Sequence, residues 1–410
     1  MIGDFTLSSR RFAVVTFLTS GTLAWFFLLQ VYLVDILLTL TIDIFWIDIS
    51  KAFFFGVGVF SAIVGSLVLK KVNRRKFLIT WVILGIISTI TLIFFQGTLY
   101  SLISSIFLGL SLGLGLPSSM AFLADSTTTE ERGRVAGLTI LEAFVIAFLS
   151  LAIVEILDLG TVSIVILVTI IRSISFLALI LDKNEEISEK EKPGLIKSDY
   201  REFVFYFIPW IMFVVAASMA SNVITAYTIS NPQSYESAIS IGNVFRYALI
   251  AIFGFVSGII IDRVGRKQSI IIGLIALGIG FGLLGFVFSE NTILLYFMAS
   301  GIAWGSFLTV FLVIPGDLSI FGSREMFYAL GTIGPLIILF SFSMIDTAWL
   351  TDLIRNISAS SVSQILSIIL FISIVPVIRA KETLSESKKR KRKMKKHIES
   401  VGKLLQDYKK

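Results

Sequence analysis

Gly258-Ile-Ile-Ile-Asp262-Arg263-Val-Gly265-Arg266-Lys267 stands between two long apolar runs. Asp262, Arg263, Arg266 and Lys267 are costly to place in hydrocarbon, so the stretch marks a short turn at a membrane face. Gly258 permits two helices to approach closely, and Gly265 permits a tight turn. One carboxylate beside three cations in so short a turn predicts a charge clamp between helix ends.

Outward from this turn the chain is built for lipid. Of its 410 residues 56% are hydrophobic and only 15% charged, where soluble domains carry about 25% charge. Apolar stretches of roughly 20 residues recur along nearly the whole length. They predict about twelve spans, among them 52–69, 326–348 and 359–378. The loops alternate in charge. One set holds Arg10 and Arg11, Lys70 with Lys71 and Arg74, Arg132 and Arg134, the Lys183–Arg201 segment, Arg263 to Lys267, and Arg324. The other set holds little beyond Lys51 and Arg355 among its cations. The positive-inside rule places the first set and both termini in the cytoplasm of a multi-pass plasma-membrane protein. Cysteine is absent and the single histidine, His397, lies in the tail. Disulfides, thiolate or imidazole metal sites and histidine proton relays in the membrane are thereby excluded. No P-loop is present, which disfavours ATP-driven transport. No nucleophile–base or metal constellation suggests an enzyme, and no cofactor is expected.

The polar segment Asp182–Arg201 divides the chain near its middle, and the two sides repeat. Val72 and Val264, Arg74 and Arg266, Asp125 and Asp317, and Arg132 and Arg324 are each 192 residues apart. The division expected is a six-helix bundle over 1–181, a linker over 182–202, a second six-helix bundle over 203–379 and a basic tail over 380–410. The run G-x-x-x-D-R-x-G-R-K at 258–267 resembles the loop motif of the major facilitator superfamily. Its first-half copy, Ser66 to Arg75, has Lys70 for the aspartate and Asn73 for the glycine. The stretch Asp125 to Arg134, with its counterpart Asp317 to Glu325, resembles the family's next loop. That resemblance implies an all-α integral membrane fold of two pseudo-symmetric bundles around a cavity. It also implies a cytoplasmic gate drawn from Asp262, Arg263, Gly265, Arg266, Asp125, Arg132, Asp317 and Arg324. Family antiporters carry a glycine-proline motif in span 5, which this chain lacks; that departure argues against drug antiport.

Intramembrane polar groups are functional candidates. Ser218, Ser221, Asn222 and Thr225 form one face of span 7, and Thr19, Thr22, Phe26 and Gln30 form one face of span 1. Gln30 and Asn222 are again 192 apart. Either these residues line a shared cavity or they bond helix to helix. Asp35 either carries a proton or is simply solvated at the headgroup level. Glu142 and Arg172 fall at similar depths and are expected to form a buried ion pair; with Asp35 they are the coupling candidates. Arg246, mid-span in span 8, has no acid one turn away; it either binds an anionic substrate or pairs with Glu155 or Glu142. Trp304 with Ser300, Phe307 and Phe311 either walls the cavity or packs the bundle. The tail from Arg379 carries a net charge of +9 and reads either as a basic amphipathic helix on anionic lipid or as a disordered basic tail.

The expected function is secondary transport of a small solute by alternating access, coupled to an ion or proton. The partners expected are the bilayer, a small-molecule substrate and anionic lipid, with the protein a monomer that binds no nucleic acid. The alternative is a non-transporting membrane sensor or scaffold on the same fold.

Overall fold

The computed structural model describes residues 7–40, 43–68, 73–94, 96–181, 200–230, 235–320 and 323–383. Lys70 and Lys71, most of the linker, and the tail beyond Thr383 lie outside them. Helices follow one another without a strand among these residues. The first half holds α1 (Ser9–Leu40), α2 (Ile44–Val68), α3 (Arg74–Ile90), α4 (Thr98–Ser126), α5 (Arg132–Ile156) and α6 (Thr161–Leu181). The second holds α7 (Tyr200–Ser230), α8 (Glu236–Arg263), α9 (Arg266–Phe286), α10 (Glu290–Leu318), α11 (Arg324–Ser343), α12 (Thr347–Ile357), α13 (Ala359–Ile372) and α14 (Ile374–Arg379). Twelve segments are long and apolar enough to cross a membrane, α13 and α14 together making the last. Large apolar side chains such as Phe60, Ile87, Ile170 and Leu177 are exposed, as suits a surface whose solvent is hydrocarbon.

The ends follow local chemistry. Asn73 caps α3 by accepting from the Lys76 N–H, and Ser289 and Thr292 form a capping box at α10. Three spans differ from expectation. The second span begins earlier because Asp48 and Lys51 pair at 3.0 Å within α2, so the charges extend the helix instead of ending it. The eleventh stops at Ser343, and Asp346 then caps a separate short helix, α12. Pro376, which lacks an N–H, divides the last span into α13 and α14.

Each half packs as its own bundle, α1 against α5 and α6, and α7 against α12 and α13. The halves meet along two seams, α5 on α8 and α2 on α11. The first seam depends on missing side chains. A Cβ on Gly258 would lie 2.4 Å from the Gly133 carbonyl oxygen and 2.9 Å from the Gly137 Cα. The second seam runs from Ser66 against Met326 near the basic loops to Gly56 against Phe340 toward the other end of α11, and a cavity lies between the bundles.

Candidate functional site: a central cavity above a charge belt

The belt lies at the basic face, where helix ends from both halves interlock. Arg74, at the start of α3, reaches Asp125 at the end of α4 (2.5 Å). Its repeat partner Arg266, at the start of α9, reaches Asp317 at the end of α10 (2.9 Å). The remaining pairs cross between halves: Arg132 binds Asp317, and Arg324 binds Asp125. These four links are the same two interactions written twice, related by the 192-residue repeat. Arg266 also donates to the Thr129 carbonyl of the opposite half at 2.9 Å.

Asp262 does something different. It accepts the backbone N–H groups of Gly133 and Arg134, each at 2.9 Å. The last turn of α8 thus caps the first turn of α5, where orphan donors and the helix dipole favour a carboxylate. Asp262 is 1% exposed. Gly265 has φ +134°, a conformation that favours glycine, and precedes α9. Arg263 is exposed on the last turn of α8.

The expected gate omitted Arg74 and Arg134, which pair with Asp125 and Asp262, and three further members join the belt. Glu325 binds Arg74. Glu382 accepts from the Arg266 N–H at 2.9 Å, capping α9, and Thr383 donates to Asp317 at 3.1 Å. Glu325 adjoins Arg324 and was detectable in sequence; Glu382, some 116 positions from Arg266, gave no signal.

Above the belt the cavity encloses about 800 Å³. Gln30, Ser218, Asn222, Thr225, Arg246 and Trp304 all line it. Thr19 and Thr22 do not: they turn into the first bundle, donating to the Ser119 and Leu18 carbonyls. The floor is aromatic. Trp210 stacks on Phe311 with centroids 4.4 Å apart, and Trp304 meets Trp210 edge-on at 6.1 Å. The repeat positions of Trp210 and Trp304 in the first half are Leu18 and Leu112, and that of Arg246 is Phe54. The cavity therefore owes its central cation and its floor indoles to the second half.

The charged candidates separate. Arg246 lines the cavity, donates to the Tyr247 hydroxyl at 2.8 Å, and lies 4.8 Å and 5.5 Å from the Tyr247 and Phe297 ring centroids. It pairs with neither Glu155 nor Glu142, and no acid lines the cavity among the described residues. The expected Glu142–Arg172 pair is not made. Arg172 is fully buried inside the first bundle, bonded to the Thr22 hydroxyl at 2.6 Å and held 4.2 Å from the Trp81 ring and 4.8 Å from the Trp25 ring. Matching depth did not mean matching azimuth: the cation turned to indoles, whose π faces offset part of its lost hydration. Glu142 is half-buried on α5, with one carboxylate oxygen lacking a hydrogen-bond partner. Asp35 is exposed and is not among the lining residues.

Helices in two bundles, a cavity at their interface and a charge belt across one face define the architecture of a membrane transporter. A family profile described as the Major Facilitator Superfamily matches residues 11–242, and the chain belongs to that superfamily. Its fold is similar to that of the proton:xylose symporter XylE bound to 6-bromo-6-deoxy-D-glucose, with TM-score 0.70 and 16% identity over 92% of this chain and 97% of that one. It is also similar to the human organic anion transporter MFSD10, with TM-score 0.64 and 13% identity over 90% of this chain and 100% of that one. At such identities the likeness is one of fold. No curated protein sequence matches the chain.

Proposed function

We propose that the protein carries a small solute across the membrane by alternating access, the two bundles rocking about the central cavity. Its basic face is the cytoplasmic one, by the positive-inside rule, and the two bundles are the rigid bodies that move. The observation that carries this reading is the reciprocal pairing of Arg132 with Asp317 and Arg324 with Asp125. Each pair joins the halves, each is largely buried while that face is closed, and all four groups would regain water if it opened. Buried pairs contribute little net stability, so intact pairs let the face open and close without a large cost, because neither partner is left alone in either state. The belt is thus the cytoplasmic gate, and the conformation described is closed on that side.

The chain has no cysteine, so an engineered pair would supply its only thiols. Ser66 and Met326 face each other across the α2–α11 seam, hydroxyl oxygen to sulfur at 3.6 Å. A Ser66→Cys/Met326→Cys variant in proteoliposomes, screened with labelled sugars, organic acids and amines, should lose solute flux on oxidation and regain it with reductant. Undiminished flux through the cross-linked protein would rule out alternating access at this seam. Ion or proton coupling we assign to Glu142, a carboxyl with an unpartnered oxygen on a helix of the moving seam. A pH gradient should accelerate wild-type flux and leave Glu142→Gln unaffected; a wild type indifferent to the gradient would remove the coupling.

A further inference from the structure

The cavity is chemically one-sided. Arg246 is a cation in its wall, with one donor on Tyr247 and rings of Tyr247 and Phe297 behind it. The cavity's other cation, Lys51, is paired with Asp48. No carboxylate lines the space among the described residues. A second donor points the same way. Asn222 is 7% exposed and lines the cavity. Its amide oxygen accepts from the Ser221 hydroxyl, and its Nδ2 has no acceptor. Buried donors without acceptors are costly and are normally satisfied, so an oxygen acceptor would suit Nδ2 once the amide turns to the cavity, while the call for negative charge comes from Arg246.

The remaining surface sets the rest of the ligand. Counting rise along their helices from the basic face, Trp210 and Trp304 stand at about 15 and 21 Å and Arg246 at about 26 Å. An aromatic floor therefore lies below a guanidinium. A cation would meet Arg246 with no counter-charge. A zwitterion would find no carboxylate for its ammonium. A polyol would find partners in Gln30, Asn222 and Thr225 but would leave the Arg246 charge without a counter-charge.

We propose that this cavity binds an amphipathic organic anion, its carboxylate on Arg246 and its apolar or aromatic body on the Trp210–Trp304–Phe311 floor. The guanidinium fork suits a planar carboxylate, and a cavity of about 800 Å³ admits a body of several carbons to two rings. This deepens the transport reading by naming the substrate class, but the binding it describes can be measured without transport.

The test uses the full-length protein in detergent, with calorimetry and tryptophan fluorescence as readouts. The probes are 3-phenylpropionate, its amide, the matched amine 3-phenylpropylamine, and acetate. The acid should bind at least tenfold more tightly than the other three. In Arg246→Gln the acid and amide should become equal, while Arg246→Lys keeps a preference for the acid. Equal binding of acid, amide and amine by the wild type overturns the proposal, as does no binding of the acid, or an acid preference that survives in Arg246→Gln. Acetate binding as tightly as 3-phenylpropionate would overturn the role of the aromatic floor. The wild-type comparison does not depend on any variant folding. Flux of labelled 3-phenylpropionate in proteoliposomes separates this inference from the reading beneath it. Binding without flux retains the ligand class and removes transport; flux of a neutral solute with no acid preference does the reverse.

Discussion

The two copies of the charge belt share a sequence plan and differ in burial. In the second-half copy Arg266 and Asp317 are fully enclosed, and Arg132 is 3% exposed. In the first-half copy Arg74 and Arg324 are 23% and 18% exposed. The acids diverge as well. Asp262 caps α5 from the opposite half, whereas its repeat position is Lys70. On that side the acid appears instead on α11 as Glu325, the repeat position of Gly133, where it binds Arg74. Duplication preserved the arginine–aspartate crossings, which depend on two charges and little else. It did not preserve the cap, which needs a close helix approach and a glycine at the contact. The second copy is the stronger lock.

That ranking can be broken in order of expected effect. Asp317→Asn strands two buried guanidinium groups at once and should weaken the closed state by about 3–5 kcal/mol. The check is the labelling rate of a single cysteine placed at Ser66, which should rise steeply, together with a lowered melting temperature. Gly258→Ala should cost about 1–3 kcal/mol by overpacking, since its Cβ meets backbone. Its repeat position is Ser66, which already carries a Cβ, so Ser66→Ala should be nearly silent in the same melting assay. Asp125→Asn, the mirror of the first change, should cost only about 1 kcal/mol because its partners are partly solvated. Equal labelling rates for Asp125→Asn and Asp317→Asn would show that the copies are equivalent and the burial difference immaterial. Glu382→Gln removes a charge from the start of α9 and should cost about 0.3–1 kcal/mol, visible as a small shift of the melting curve with flux retained.

Much of this was legible in the chain. Spans are long apolar runs because the bilayer leaves no other way to satisfy the backbone. The belt was legible because charges beside such runs are rare and recur at one offset. Gln30, Asn222, Arg246 and Trp304 were detectable as polar or aromatic exceptions within apolar helices. What failed was pairing. Glu142 and Arg172 lie at compatible depths, yet depth says nothing about which way a helix is turned. Thr19 and Thr22 share a helix stripe with Gln30 but serve the bundle, bonding to the Ser119 and Leu18 carbonyls where α1 packs on its own half. Asp48 and Lys51 read as loop charges, but paired within α2 they extend the helix.

By itself the sequence determined the class of fold: the transfer cost of charge and backbone into hydrocarbon fixes spans, loops and the twofold repeat without reference to any contact. Tertiary structure alone decided which charges share water-free space. It set Arg246 against the cavity and Arg172 against two indoles, and it brought Glu382 to Arg266 across a hundred residues of chain. The physical reason is that desolvation is a property of neighbours in three dimensions. A lone arginine in a span has the same hydropathy whether it waits for a ligand or is enclosed for good.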